Sequence, residues 1–118
     1  MTTALHADAE IASQPQIWRQ VADFAPSVFG KLPQKGERVA VVGCGSSWFM
    51  SMAYASLREA AGHGETDAYA GSEFNYDRKY DRVVSISRSG TTSEIVELLG
   101  KIKTPSVVLT AIHNSPVE

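Results

Sequence analysis

Residues 83–94 combine a β-branched run, a turn rich in hydroxyl groups and the start of a helix. The hydroxyl-bearing residues of this turn are Ser87, Ser89, Thr91 and Thr92. Arg88 adds a positive charge, and Gly90 lets the backbone turn tightly or approach a ligand closely. The first N–H groups of a helix have no partner within it, and the helix dipole favours negative charge there. Because hydroxyl groups can donate to phosphate oxygens, this turn predicts an anion site.

The same turn has a second interpretation that needs no ligand. Thr91 and Glu94 match a capping box, in which two side chains satisfy free N–H groups at a helix start. On this stretch alone both interpretations stand. A second loop of the same kind, upstream in the chain, favours the ligand.

The upstream loop, Gly43-Cys44-Gly45-Ser46-Ser47, follows the apolar run of residues 38–42. It is not a dinucleotide-binding fingerprint. Trp48 stands where that pattern has its third glycine, and Ala70 stands where it has an acidic residue at the end of the second strand. No Gly-Lys-Ser/Thr run is present, which excludes a P-loop. Glycines followed by two serines at a helix start suit a small anion or sugar hydroxyls. The alternative is a tight turn with one of the two serines as helix N-cap.

The other residues capable of chemistry are weaker candidates. Cys44 is the only cysteine, which excludes an intrachain disulfide, and we assign it to packing because no base is evident near it. Glu73 and Glu94 are interpreted as structural and capping residues. The histidines at positions 6, 63 and 113 lack metal-ligand spacing, and only His113 follows a strand closely enough to reach a site. We therefore predict no metal, no cofactor and no catalytic residue in this chain.

Apolar periodicity places both loops in an α/β fold. Strands are predicted at residues 38–42, 65–70, 81–86 and 106–112, and helices at 15–32, 49–60 and 92–103. Pro15 is expected to separate the first of these helices from residues 1–13, and Pro26 to kink or end it. Strands alternating with helices predict a parallel sheet covered by helices on both faces. Such sheets bind ligands at the carboxyl ends of their strands, where both loops lie.

Residues 106–112 are expected to form a buried strand inside this sheet. At a sheet edge, so apolar a strand would be prone to aggregate. We therefore expect either that the chain is the N-terminal part of a longer protein, with a sheet incomplete on its C-terminal side, or that a partner covers the strand. Residues 1–34 are predicted to be a helical lead-in, and residues 35–118 the N-terminal part of one domain.

Composition narrows the class of protein further. The 118 residues are 43% hydrophobic and 20% charged, which is ordinary for a globular domain. A net charge of −2 gives no reason to expect nucleic acid or an anionic membrane as partner. A single cysteine fits a reducing compartment, and the N-terminus lacks the charge and apolar core of a signal peptide. We predict a cytoplasmic location.

Three segments in this order and spacing resemble the sugar isomerase (SIS) domain family: residues 43–47, residues 71–74 and residues 87–92. The lead-in Glu10-Ile11-Ala12-Ser13-Gln14-Pro15 also looks like the segment that precedes such a domain. The likeness is greatest to the isomerase half of the glucosamine-fructose-6-phosphate aminotransferases and to related amino-sugar phosphate deaminases and isomerases. It implies a three-layer α/β/α sandwich with a flavodoxin-like parallel sheet, which binds a phosphosugar and forms a homodimer or higher homo-oligomer.

The resemblance also implies which residues contact the ligand. The positions that match the family's phosphate-binding loops are Gly45, Ser46, Ser47, Ser87, Arg88, Ser89 and Thr92. Arg88 stands where glutamine is common in the aminotransferases, and Thr91 where they usually have glutamate. The family's catalytic glutamate, histidine and lysine lie further along the chain than residue 118.

The expected function is therefore phosphosugar binding within an amino-sugar phosphate isomerase or deaminase acting on a hexose 6-phosphate or amino-hexose 6-phosphate. This chain alone is not expected to catalyse the aldose–ketose isomerisation. The alternative is a phosphosugar-sensing domain of a regulator, without chemistry. Such regulators usually carry a DNA-binding segment before the domain, and the roughly 35 residues before the first predicted strand are not basic, which favours the enzyme.

Overall fold

The computed structural model describes residues 2–88 and 93–110, and it divides the chain into two compact units, residues 1–32 and 33–118. The first unit holds helix α1 (Thr2–Phe24) and a 3₁₀ helix (Ala25–Lys31). The second unit holds strands β1 (Val39–Gly43), β2 (Thr66–Ala70), β3 (Arg82–Ile86) and β4 (Ser106–Leu109). Its helices are α2 (Ser46–Ala60), α3 (Ser93–Lys101) and a 3₁₀ turn (Gly71–Glu73).

Helix α1 corrects one prediction. We expected Pro15 to separate two segments, but the helix runs through it without a break. The φ angle of proline is compatible with a helix, so the free-energy cost comes from one missing backbone hydrogen bond and a clash with the preceding turn. The remaining turns of a long helix can offset this cost. Pro26 acts as predicted, because α1 ends at Phe24 and the 3₁₀ helix carries a proline in its first turn.

The second unit is built on a four-stranded parallel sheet in the order β2-β1-β3-β4. Strand β1 lies in the middle, paired with β2 on one side and with β3 on the other. The last residues of the three strands are in register, because Gly43 pairs with both Ala70 and Ile86. All three strands therefore end at the same edge of the sheet.

Alternation along β1 divides the core into two clusters, one on each face of the sheet. One face carries Ala40 and Val42, which pack with Ile95 and Leu98 of α3. The other face carries Val39 and Val41, which pack with Ala55 of α2. Helices α2 and α3 thus cover opposite faces, which confirms the predicted α/β fold with a parallel sheet between helices.

Strand β4 is only partly buried in this chain. It lies at the edge of the sheet, with Ser106 and Leu109 exposed and the two valines between them only half-buried. The strand ends at Leu109, and residues 111–112 of the predicted strand lie outside the described residues. An edge position agrees with the expected sheet that is incomplete on its C-terminal side, and burial of the strand inside a longer sheet stays a prediction.

A buried arginine fastens the C-terminal end of α2. The guanidinium of Arg58, which is 6% exposed, donates to the backbone carbonyl oxygens of Glu37 at 3.0 Å and Gln34 at 2.8 Å. It also donates to the hydroxyl oxygen of Thr66 at 2.9 Å. Arg58 therefore joins α2 to the segment before β1 and to the start of β2, and it fixes the helix at the sheet end away from the two loops.

Candidate functional site

The turn between β1 and α2 is tightly closed at Gly43. A Cβ atom at this position would lie 2.5 Å from the carbonyl oxygen of Ser47 and 2.9 Å from the hydroxyl oxygen of Ser51. The same Ser51 hydroxyl donates to the carbonyl oxygen of Ser47 at 2.9 Å. The first turn of α2 thus rests directly on the end of β1, at a distance that only glycine permits.

Gly45 is the residue that redirects the chain into α2. Its φ of 60° and ψ of −129° lie in a region that residues with a side chain rarely adopt. It is also the N-cap of α2, and no side chain forms a capping hydrogen bond there. The alternative interpretation of this loop, with Ser46 or Ser47 as N-cap, is therefore wrong.

The two serines of this loop have free hydroxyl groups. Ser46 is exposed and Ser47 is half-buried, and neither hydroxyl forms a hydrogen bond within residues 2–88 and 93–110. The backbone N–H of Ser47 donates to Cys44 at 3.1 Å, which leaves the N–H of Ser46 as the first donor of the helix. A helix start without a side-chain cap and with two free hydroxyl groups can accept an anion.

The second loop begins where β3 ends. Ser87 is 1% exposed, and its N–H donates to the carbonyl oxygen of Leu109 at 3.0 Å. Arg88 is exposed, and its carbonyl oxygen accepts a hydrogen bond from the Thr110 hydroxyl at 3.4 Å. The predicted site residues Ser89 and Thr92 and the capping residue Thr91 lie outside the described residues.

The sheet register brings the two loops together. Gly43 and Ile86 are paired on neighbouring strands, so Cys44 to Ser46 and Ser87 to Arg88 leave the sheet side by side. The described candidate residues, Gly45, Ser46, Ser47, Ser87 and Arg88, are thus carried by two adjacent loops. This is the edge at which parallel α/β sheets bind ligands.

Gly71 is a residue of this edge whose role the sequence analysis missed. A Cβ atom on it would lie 3.0 Å from the sulfur of Cys44, 3.1 Å from Cδ1 of Ile95 and 3.2 Å from Cβ of Glu94. The residue after β2 therefore touches both the first loop and the first turn of α3. A glycine placed directly after a strand was the signal that could have indicated this close approach.

Cys44 and Glu94 also take defined positions here. Cys44 is half-buried and packs against the core cluster beneath α3, as its assignment to packing predicted. Glu94 lines a cavity of about 230 Å³ together with the hydrogen-bonded pair Glu97 and Lys101, whose charged atoms are 2.9 Å apart. The bond to Glu97 raises the pKa of Lys101, so its ammonium group stays charged.

A separate polar network lies along the outer edge of β2. The Tyr80 hydroxyl donates to Oδ2 of Asp67 at 2.6 Å and shares a hydrogen bond with Tyr69. Burial raises the pKa of Tyr80, and its hydrogen bonds to Asp67 and Tyr69 raise it further. Tyr80 therefore remains a neutral donor at physiological pH, and the network serves to join β2 to the lead-in of β3.

Two negative findings concern the described residues only. Within residues 2–88 and 93–110, no group of three or more His, Cys, Asp or Glu side chains is placed to hold a metal ion. No helix in that part of the chain is both long and apolar enough to cross a membrane.

Solved structures share this architecture. The C-terminal domain of glucosamine-fructose-6-phosphate aminotransferase from Francisella tularensis matches with a TM-score of 0.63 and 26% identity, over 80% of this chain and 28% of that one. A protein from Bacillus subtilis described as a candidate phosphosugar isomerase matches in fold, with a TM-score of 0.57 and 24% identity, over 84% of this chain and 32% of that one. This chain thus spans about a third or less of each of these proteins. Neither a protein-family model nor a curated protein matches the sequence.

Proposed function

We propose that this chain, whose fold is that of an SIS-like domain, binds the phosphate group of a hexose 6-phosphate or amino-hexose 6-phosphate at the edge where β1 and β3 end. The observation that supports the proposal is the pairing of Gly43 with Ile86, because the segments that follow these two residues leave neighbouring strands at the same edge of the sheet. A capping role alone does not explain the first loop, because its helix start has no side-chain cap.

The phosphate is proposed to lie against the start of α2. The N–H and hydroxyl of Ser46 and the hydroxyl of Ser47 supply donors from the first loop. The second loop adds the hydroxyl of Ser87, the exposed charge of Arg88 and, by sequence, the hydroxyls of Ser89 and Thr92. Hydrogen bonds from such donors to a charged oxygen contribute more than bonds between neutral groups.

We further propose that this chain is part of an enzyme that acts on amino-sugar phosphates, either an aldose–ketose isomerase or a deaminase. This rests on the name of the Francisella tularensis neighbour and on the resemblance of residues 43–47 and 87–92. Isomerisation requires a base that moves a proton between C1 and C2 of the open-chain sugar. We assign that role to none of the described residues, so their proposed part is to bind and orient the phosphate. A cytoplasmic location is part of the same proposal, supported by the single cysteine.

Calorimetric titration tests the binding. Glucosamine 6-phosphate and fructose 6-phosphate are titrated into the chain, with inorganic phosphate and the unphosphorylated sugars as controls. We expect binding to require both the phosphate and the sugar. A folded chain that binds neither phosphosugar would refute the proposal, and a preference between the two ligands would distinguish hexose from amino-hexose.

A matched pair of serine variants then locates the site. Ser46→Ala removes a free hydroxyl at the proposed phosphate position, and we expect the dissociation constant to rise about tenfold or more, as for a lost bond to a charged group. Ser106→Ala makes the same change on an exposed residue at the opposite end of the sheet and should leave affinity unchanged. Equal affinities for the two variants would place the ligand elsewhere.

A further inference from the structure

Ser51 is a polar residue at a position where the core would accept an apolar one. It lies on the side of α2 that faces the sheet, and its exposed fraction is 0%. Ala55, one turn later on the same side of the helix, belongs to the core. Because a buried hydroxyl group costs free energy unless it is hydrogen-bonded, the contacts of this hydroxyl indicate what the residue does.

The Ser51 hydroxyl donates to a carbonyl group at the start of the helix. Its acceptor is the carbonyl oxygen of Ser47, at 2.9 Å, the same atom that leaves no room for a Cβ atom on Gly43. In an α-helix this oxygen also accepts the N–H group four residues further on, so the hydroxyl is a second donor to it. The carbonyl group does not need this bond to be satisfied, and the bond therefore acts on the position of the first turn.

The peptide group between Ser47 and Trp48 carries this contact toward the start of the helix. The carbonyl oxygen and the N–H group of a planar trans peptide point in opposite directions. Ser51 holds the oxygen, and at the other end the N–H of Trp48 donates to the carbonyl oxygen of Gly45 at 3.0 Å. This peptide group is thus fixed at both ends.

The preceding peptide group, between Gly45 and Ser46, is held at its oxygen. Because that oxygen points into the helix toward Trp48, the N–H of Ser46 points out of the helix. This N–H is at the start of α2 and has no acceptor within the helix. Hydrogen bonds in a chain polarise one another, so the bond from Ser51 also makes the Ser46 N–H a better donor.

We propose that Ser51 is a positioning residue for the phosphate site, because its hydroxyl fixes two successive peptide groups and thereby directs the Ser46 N–H toward the anion. The inference rests on the proposed function, and it adds a residue that acts through the backbone rather than by contact with the ligand. A merely structural serine would be present only because it is small enough to lie against Gly43. Alanine is just as small, so Ser51→Ala separates the two roles.

Calorimetry and urea denaturation compare Ser51→Ala with Ser56→Ala, which removes a hydroxyl group from an exposed position of the same helix. For the phosphosugar that the wild type binds more tightly, we expect the dissociation constant to rise about threefold to tenfold in Ser51→Ala and to stay unchanged in Ser56→Ala. The urea midpoint should fall in neither variant, because alanine is the better helix former and the Ser47 carbonyl keeps its helical N–H partner. Unchanged affinity in Ser51→Ala, or a loss of stability alongside the loss of affinity, would overturn the proposal.

Amide hydrogen exchange, measured by NMR, follows the same contacts without a ligand. In Ser51→Ala the N–H of Trp48 should exchange about threefold to tenfold faster than in the wild type, whereas that of Val41 in β1 should exchange at the same rate. An unchanged rate at Trp48 would overturn the proposal even if affinity fell.

The wild type distinguishes this proposal from the proposed function. A folded wild-type chain that binds no phosphosugar would overturn the proposed function and the role of Ser51 together. A wild type that binds, compared with a Ser51→Ala chain that binds equally well, would overturn the role of Ser51 alone.

Discussion

Replacing Gly43 by alanine would test whether the close contact between β1 and α2 sets the geometry of the first loop. The new Cβ atom would lie 2.5 Å from the oxygen and 2.6 Å from the carbon of the Ser47 carbonyl. Non-bonded carbon atoms normally stay about 3.5 Å or more apart, so the first turn of α2 would have to move by about 1 Å. The obstacle is backbone rather than a flexible side chain, and it cannot rotate away.

Overpacking of this kind costs about 1–3 kcal/mol of folding free energy. With a denaturant dependence of about 1–3 kcal/mol per molar urea, the midpoint of unfolding should fall by roughly 1 M. The displaced turn carries Ser46 and Ser47, so phosphosugar affinity should fall as well. Urea denaturation followed by circular dichroism measures the first effect, and calorimetry under folding conditions measures the second.

Gly100→Ala provides the matched control for this substitution. Gly100 lies in α3, where a Cβ atom meets nothing within 4 Å and no positive φ angle is present. Alanine is the better helix former by about 0.5–1 kcal/mol, so this variant should be more stable than the wild type. If Gly43→Ala were as stable as the wild type and bound ligand equally well, the contact would not control the loop and the reasoning would be refuted.

Two further substitutions test two separate sets of polar contacts, those of Arg58 and those of Tyr80. Arg58→Lys removes the planar group that donates to Gln34 and Thr66. The free energy of unfolding should fall by about 2–4 kcal/mol in urea denaturation. A loss below about 0.5 kcal/mol would contradict the role of Arg58 in holding α2 to the sheet. Tyr80 has a pKa raised above its ordinary value of 10.0, because burial and the bond to Asp67 favour its neutral form. Its contribution to stability is present below pH 10 and should decline as pH rises further, since the unfolded chain then loses a proton that the folded chain keeps. Tyr80→Phe should flatten this decline between pH 9 and pH 11 in thermal melts, whereas an unchanged slope would assign it to another group.

The residue pattern alone determined the fold class and the order of its elements. Strands β1, β2 and β3 lie within about one residue of their predicted positions. For β1 and β3 the reason is that buried parallel strands are near-continuous apolar runs bounded by glycine or polar residues. The loop of residues 43–47 was identifiable for the same local reason, since two glycines and two serines directly follow such a run. Periodicity and turn chemistry are properties of neighbouring residues, so they can be read without knowing the rest of the chain.

Only the tertiary structure decided which distant residues meet. The register between Gly43 and Ile86 places the ends of β1 and β3 at the same edge of the sheet. The close approach of Gly71 to Cys44 adds a third chain segment to that edge. These outcomes depend on strand order and on the packing of whole elements, which sum many weak contacts between residues far apart in the chain. Local sequence therefore specified the parts of the proposed site, and the sheet brought them together.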